Sequence, residues 1–82
     1  MDQKILDRII KIANDQKLKV DLSIENKDKT LKELGLDSLS IIGVIVKLEN
    51  ELGIYVSDEV LAKIQTLDQL VSAIETTLKN KK

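Results

Sequence analysis

The chain has 82 residues, which suffices for one small domain, residues 1–82, with a single modest core. Its 14 acidic and 13 basic residues leave a net charge of -1, so there is no strong field to attract nucleic acid or an anionic membrane surface. It has no cysteine and no histidine, which excludes disulfides and thiolate chemistry and removes the commonest general base and metal ligand.

The first predicted element is an amphipathic helix over residues 2–14. Apolar side chains recur there at helical spacing, so one face should be buried and the other exposed. The chain's start lacks the apolar run of a secretory signal, and its longest apolar stretch, residues 41–46, is far too short to span a membrane. We therefore expect a cytoplasmic protein without membrane insertion.

The next segment has the alternation of a half-buried strand. Leu18, Val20, Leu22 and Ile24 alternate with polar residues. No convincing partner strand exists, because the other extended candidate, residues 54–56, is only three residues long. We therefore predict an extended loop that packs Leu18, Val20 and Leu22 onto the helices.

A short turn is predicted before the central helix. Thr30 and Glu33 have the spacing of a capping box, in which a threonine hydroxyl and a glutamate each satisfy a backbone N–H of the other. One helical turn fits between Thr30 and Gly35 and would carry Leu31 and Leu34 inward.

The central helix is predicted over residues 38–52, because Gly53 accepts the left-handed conformation common just past a helix end. Its apolar residues are too many for one stripe at about 100° per residue. The expected core face consists of Ile41, Ile42, Ile45, Leu48 and Leu52. A second stripe, with spacing i, i+4, i+7 and i+11, consists of Leu39, Gly43, Val46 and Asn50. Since this stripe begins beside Ser38, a partner that reaches the serine must also touch it.

Two more helices complete the prediction. Ser57 caps a short helix that reaches about residue 63, and Thr66 with Gln69 forms a second capping box. The last helix should bury Leu67, Leu70, Val71, Ile74 and Leu78. The basic end, residues 79–82, should fray in solvent. The predicted fold is all-α: a four-helix bundle of three longer helices and one short helix, with a long loop between helices one and two.

The most informative motif is Leu34-Gly35-Leu36-Asp37-Ser38-Leu39. Its serine lies where irregular chain turns into helix, and free backbone N–H groups there favour an attached anion such as a phosphodiester. The alternative is that Asp37 or Ser38 is an ordinary helix cap.

Together with the helix end Leu48-Glu49-Asn50-Glu51-Leu52-Gly53-Ile54, the motif resembles the acyl carrier protein family. The resemblance implies that Ser38 carries 4'-phosphopantetheine derived from coenzyme A. Asp37 and Leu39 would flank it as the motif that a phosphopantetheinyl transferase recognises. It also implies a monomer loaded by acyl- or aminoacyl-ligases and served by acyltransferase or synthase enzymes. For the partner-binding face on the central helix we nominate Leu39, Ser40, Gly43, Val46, Lys47 and Asn50.

Two positions depart from the family pattern. Carriers of bacterial fatty acid synthesis usually have carboxylates two and five residues after the modified serine, where this chain has Ser40 and Gly43. Electrostatic docking should therefore be weaker, which favours a specialised pathway over housekeeping fatty acid synthesis. A peptidyl or aminoacyl carrier of a non-ribosomal or D-alanyl transfer pathway, or a non-carrier helical adaptor, remains an alternative.

An enzymatic function is not supported by the residue types. No histidine is present to activate Ser38, and no motif places a lysine against it, so we predict no catalytic residue. We also predict no metal site, because the carboxylates lack a calcium-loop spacing. The protein should be a substrate of other enzymes.

Overall fold

The structure, a computed structural model, describes residues 2–18 and 20–80 and confirms the all-α prediction. Its helices are α1 (Gln3–Asp15), α2 (Ser38–Leu52), α3 (Asp58–Lys63) and α4 (Leu67–Lys79), with a 3-10 turn at Ile24–Asn26. Within the described residues no β-strand forms. Three residues that we assigned to the extended loop and the basic end lie outside the described residues: Lys19, Lys81 and Lys82.

The helices begin and end at residues suited to those positions. Asp2, Ser57 and Thr66 each accept a hydrogen bond from a backbone N–H in the first turn of the helix that follows. Thr66 and Gln69 form the complete reciprocal capping box that their spacing predicted. Gly53 ends α2 with a φ of 64°, in the left-handed region that glycine adopts without strain. These local signals explain why the predicted helix bounds agree with the structure to within a residue or so.

The core is aliphatic, and α1 and α4 supply half of it. Among the described residues no polar or charged residue is buried. The buried residues are Ile5, Leu6, Ile9, Ile12 and Ala13 of α1, Val44, Ile45 and Leu48 of α2, Leu67, Leu70, Val71 and Ile74 of α4, and Leu22, Leu31, Leu34, Leu36, Ile54 and Val56 of the connections. The short helix α3 contributes no buried residue, so it lies on the outside of the bundle.

The long connection between α1 and α2 is an extended loop held against the helices, as predicted. Leu22 is buried, and Leu18 and Val20 pack partly buried against the core. Burial of these alternate side chains explains the strand-like pattern, since a loop that crosses a helical surface also needs apolar residues on one side.

Two similar segments fasten this loop to the start of α4. Residues 30–34 read Thr-Leu-Lys-Glu-Leu, and residues 66–70 read Thr-Leu-Asp-Gln-Leu. Each forms its own capping hydrogen bonds, and the two meet in an isolated antiparallel bridge. The N–H of Leu31 donates to the carbonyl of Gln65 at 2.8 Å. In the opposite direction, the N–H of Leu67 donates to the carbonyl of Lys29 at 3.3 Å. The loop is therefore anchored just before it reaches α2.

The core face of α2 is rotated from the predicted one. Val44, Ile45 and Leu48 are buried, but Ile42 is 49% exposed, so its assignment to the core was wrong. At about 100° per residue, Ile42 lies well to one side of the direction shared by the three buried residues. In the first half of α2, every residue except the serines and Gly43 is apolar. The periodicity of the sequence therefore did not indicate which side of the helix faces the core. In the last helix, Leu78 is only partly buried.

Candidate functional site

The structure separates the roles of the two polar residues in the motif. Asp37 is the helix cap: its Oδ1 accepts the N–H of Ser40 at 2.8 Å. Ser38 is the first residue of α2, it is exposed, and its hydroxyl hydrogen-bonds to none of the described residues. The cap is thus provided by the neighbour, and the Ser38 hydroxyl is left available.

At the start of α2, free backbone N–H groups favour an added anion. The hydrogen bond from the backbone of Ser40 lowers the pKa of Asp37 below its ordinary value, so its carboxylate is ionised at neutral pH. That carboxylate is already bonded to the helix. The N–H groups of Ser38 and Leu39 bond to no described residue, and such free donors at a helix start interact well with a phosphate oxygen.

The turn before α2 fixes where the serine lies. Leu36 is buried and its N–H donates to the carbonyl of Leu31 at 2.9 Å. Gly35 makes this possible by adopting a φ of 99°, which is strained for any residue with a side chain. Thr30 and Glu33 brace the turn through their capping box, which the sequence predicted. These contacts hold the turn from which α2 and the Ser38 hydroxyl begin.

An open cleft lies beside Ser38, between α2 and the short helix α3. Its volume is about 320 Å³. The lining residues are Ser38, Ile41, Ile42, Asp58, Leu61, Ala62 and Ile64. Sequence reasoning missed this cleft, because it depends on how α3 packs beside α2, and no local pattern indicates that packing. Most of its wall is apolar.

The nominated partner-binding residues differ in their exposure. Leu39 and Val46 are 80% and 47% exposed, and Lys47 and Asn50 are exposed as well. Ser40 and Gly43 are partly buried. We call Leu39, Ile42 and Val46 the exposed stripe of α2; Ile42 enters it because its side chain is not part of the core.

The chemistry available at Ser38 within this chain is limited. No described side chain hydrogen-bonds to its hydroxyl, so none is in place to take its proton. The described residues also contain no group of three or more carboxylates that could hold a metal ion. No helix among them is long and apolar enough to cross a membrane. Among the described residues, the Ser38 hydroxyl is thus exposed and has no hydrogen-bonded base.

Comparison with known sequences identifies relatives along nearly the whole chain. A family model described as the phosphopantetheine attachment site matches residues 7–74. An acyl carrier protein homolog of Ureaplasma parvum is 42% identical over 79 residues, covering 96% of this chain and 100% of that protein. The acyl carrier protein of Thermotoga maritima is 37% identical over 70 residues, covering 84% and 86% of the two chains.

Solved structures agree with the sequence matches. The crystal structure of the acyl carrier protein from Thermotoga maritima is similar with a TM-score of 0.80 at 28% identity, covering 94% of this chain and 89% of that one. A solution structure of hexanoyl acyl carrier protein from the actinorhodin polyketide synthase of Streptomyces coelicolor has a TM-score of 0.79 at 22% identity, covering 100% and 94%, a likeness of fold alone. The chain therefore belongs to the acyl carrier proteins, which are carriers rather than enzymes and have 4'-phosphopantetheine as their cofactor.

Proposed function

We propose that Ser38 is the residue to which 4'-phosphopantetheine is attached. The observation that supports this most directly is the exposed, unbonded hydroxyl of Ser38 at the first position of α2, with Asp37 serving as the cap in its place. The free N–H groups of Ser38 and Leu39 would face the phosphate of the attached group favourably. Asp37 and Leu39 would flank the serine as the motif that the modifying enzyme reads.

In this proposal the chain supplies the nucleophile and the platform. Ser38 Oγ forms the new O–P bond to the phosphopantetheine phosphorus of coenzyme A, the bond to the leaving nucleotide phosphate breaks, and a base of the transferase takes the hydroxyl proton. When bound, phosphopantetheine supplies the thiol that this chain lacks and on which an acyl group is held as a thioester. The hydrogen-bonded turn around Gly35 then keeps the attachment point in a defined position.

The cargo we propose is an acyl group of fatty acid, polyketide or related specialised biosynthesis. The cleft between α2 and α3 is mostly apolar, and Ser38 lies among its lining residues. The Streptomyces coelicolor carrier with the same fold has been solved in hexanoyl, acetyl and 3,7-dioxo-octyl forms. The neutral residues Ser40 and Gly43, which replace the usual carboxylates, support a specialised pathway.

Membership in the family implies partner synthases and acyltransferases. We further propose a phosphopantetheinyl transferase and an acyl- or aminoacyl-loading ligase as partners, with docking on the exposed stripe of α2 and its neighbours Ser40, Gly43, Lys47 and Asn50. The support for this face is that Leu39 is 80% exposed beside Ser38. A monomer acting in the cytoplasm is the state that we propose for the protein.

A kinetic comparison tests the site and the docking face together. Wild type, Ser38→Ala and Ser40→Ala are incubated with coenzyme A, Mg²⁺ and a broad-specificity phosphopantetheinyl transferase, and intact mass is followed with time. We expect wild type and Ser40→Ala to gain one phosphopantetheine and Ser38→Ala to gain none. Val46→Ser should lower kcat/KM for the transfer, whereas Ile24→Ser, matched at 50% exposure but outside the stripe, should not. Modification of Ser38→Ala would contradict the proposed site.

A further inference from the structure

One row of α2 links Ser38 to the connection that follows the helix. Ser38, Ile42, Ile45 and Glu49 have the spacing i, i+4, i+7 and i+11, so they lie along the same side of α2. Ser38 and Ile42 line the cleft against α3, and Ile45 is buried. Glu49 ends the row eleven residues from Ser38, about 16 Å along the helix axis.

At that end, Glu49 bonds to the connection through its side-chain carboxylate and its main-chain carbonyl. Its side-chain Oε2 accepts the N–H of Val56 at 2.8 Å, and its main-chain carbonyl accepts the N–H of Ile54 at 3.1 Å. Ile54 and Val56 are buried, so the chain is pressed against the core at this point. The next residue, Ser57, caps α3, which places the start of α3 directly after the segment that Glu49 fixes.

The rest of α3 is weakly held. None of its residues is buried, and it is only six residues long. Val60, Leu61 and Ile64 pack partly buried against the core. Among the described residues, no side chain outside residues 54–64 other than that of Glu49 hydrogen-bonds to this segment. Segments with few buried contacts are the first to open in a folded protein.

We propose that Glu49 is a positioning residue for the cleft beside Ser38: by bonding to the N–H of Val56 it fixes where α3 begins, and so sets the position of the wall formed by Asp58, Leu61, Ala62 and Ile64. This deepens the proposed function and rests on it for the meaning of the cleft. Because Glu49 acts through the connection and is not among the residues that line the cleft, its effect is on geometry and opening, not on the chemistry of attachment.

Hydrogen exchange of the unmodified protein tests the proposal without any cofactor or partner. Wild type, Glu49→Ala, Glu49→Gln and Glu51→Ala are compared residue by residue by NMR, with global stability measured by urea unfolding. Glu51 is the matched control, because it is a carboxylate on the same helix whose partner is Arg8 of α1, at 3.2 Å. In Glu49→Ala we expect amides of residues 56–64 to exchange about tenfold faster relative to those of α1 and α4, as loss of a bond to a charged group would produce.

The conservative variant separates positioning from mere stability. Glu49→Gln retains an oxygen that can accept from Val56, so it should restore most of the protection in residues 56–64. A uniform rise in exchange across all helices, an effect of Glu51→Ala equal to that of Glu49→Ala in residues 56–64, or no rescue by Glu49→Gln would overturn the proposal. Attachment of phosphopantetheine to wild type is scored separately by mass, so failure of the proposed function and failure of the Glu49 contact give different results.

Discussion

The Nε2 atom of Gln16 lies 3.2 Å from the carbonyl oxygen of Gly43, and this contact joins the end of α1 to the middle of α2. A second contact joins the same two helices: Arg8, eight residues before Gln16, forms an ion pair of 3.2 Å with Glu51, eight residues after Gly43. The two contacts show that the helices run antiparallel along this side. Gly43 therefore lies where the Gln16 side chain of the same protein approaches the backbone of α2.

Replacing Gly43 by alanine should reveal this contact. A Cβ at residue 43 would lie 3.3 Å from Oε1 of Gln16, a tight distance to the end of a flexible, exposed side chain. Alanine also gains about 1 kcal/mol over glycine in a helix interior. We expect Gly43→Ala to stabilise the protein by about 1 kcal/mol when Gln16 is alanine, and by clearly less when Gln16 is present.

A double-mutant cycle in urea measures that difference. The four proteins are wild type, each single variant and the double variant, and the coupling free energy is read from their unfolding. Equal effects of Gly43→Ala in both backgrounds would mean that the Gln16 contact has no energetic consequence.

The rotated core face of α2 predicts opposite sensitivities for two isoleucines. Ile45 is 2% exposed, so Ile45→Ala should cost roughly 2–5 kcal/mol of unfolding free energy. Ile42 is 49% exposed, so Ile42→Ala should cost less than about 1 kcal/mol. Urea denaturation of the two variants checks this, and comparable losses would restore Ile42 to the core.

Acid should weaken the turn that presents Ser38. The backbone hydrogen bonds of Thr30 and Ser40 lower the pKa values of Glu33 and Asp37 from their ordinary values of 4.5 and 3.8. A carboxyl group whose pKa is lower in the folded state stabilises the fold fully when the pH is above the group's ordinary pKa. That stabilisation is lost as the pH falls through the lowered pKa of the folded state. We therefore expect stability to decline as pH falls below about 4.5 through these carboxylates.

Neutral variants that keep the hydrogen-bonding shape provide the control. Glu33→Gln and Asp37→Asn combined should flatten the dependence of unfolding free energy on pH in this range, measured by urea titrations at several pH values. An unchanged slope in the double variant would assign the acid sensitivity to other carboxylates.

The capping box of α4 should contribute measurably to stability. Thr66 Oγ1 accepts the N–H of Gln69 at 3.1 Å, and Gln69 Oε1 accepts the N–H of Thr66 at 3.0 Å. Thr66→Ala should cost about 1 kcal/mol, whereas Thr66→Ser retains the acceptor and should cost much less. Thermal unfolding of the two variants distinguishes loss of the cap from loss of the methyl group, and equal losses would contradict a capping role.

Local signals explain why so much of this fold was predictable. Gly53, Ser57 and the pair Thr66 and Gln69 mark helix ends through their own backbone neighbours, so their effect is readable without tertiary structure. The start of α2 is also marked locally: Asp37 caps the helix, and Ser38 is left exposed.

What the sequence did not reveal depends on contacts between distant segments. Gln16 reaches Gly43 across 27 positions, and no local pattern indicates such a pair. The cleft beside Ser38 forms only because α3 lies beside α2. In α2 itself, the continuous apolar stretch does not indicate which side of the helix is buried. Ile42 was misassigned for that reason, since its hydrophobicity equals that of the buried Ile45.

Locating the attached group tests the proposed role of Ser38 most directly. After incubation of the folded protein with coenzyme A, Mg²⁺ and a phosphopantetheinyl transferase, fragmentation mass spectrometry of the intact chain assigns the added mass to a residue. We expect one phosphopantetheine per chain, on Ser38. Attachment at Ser40 or any other residue, or no attachment to a chain shown to be folded, would contradict it.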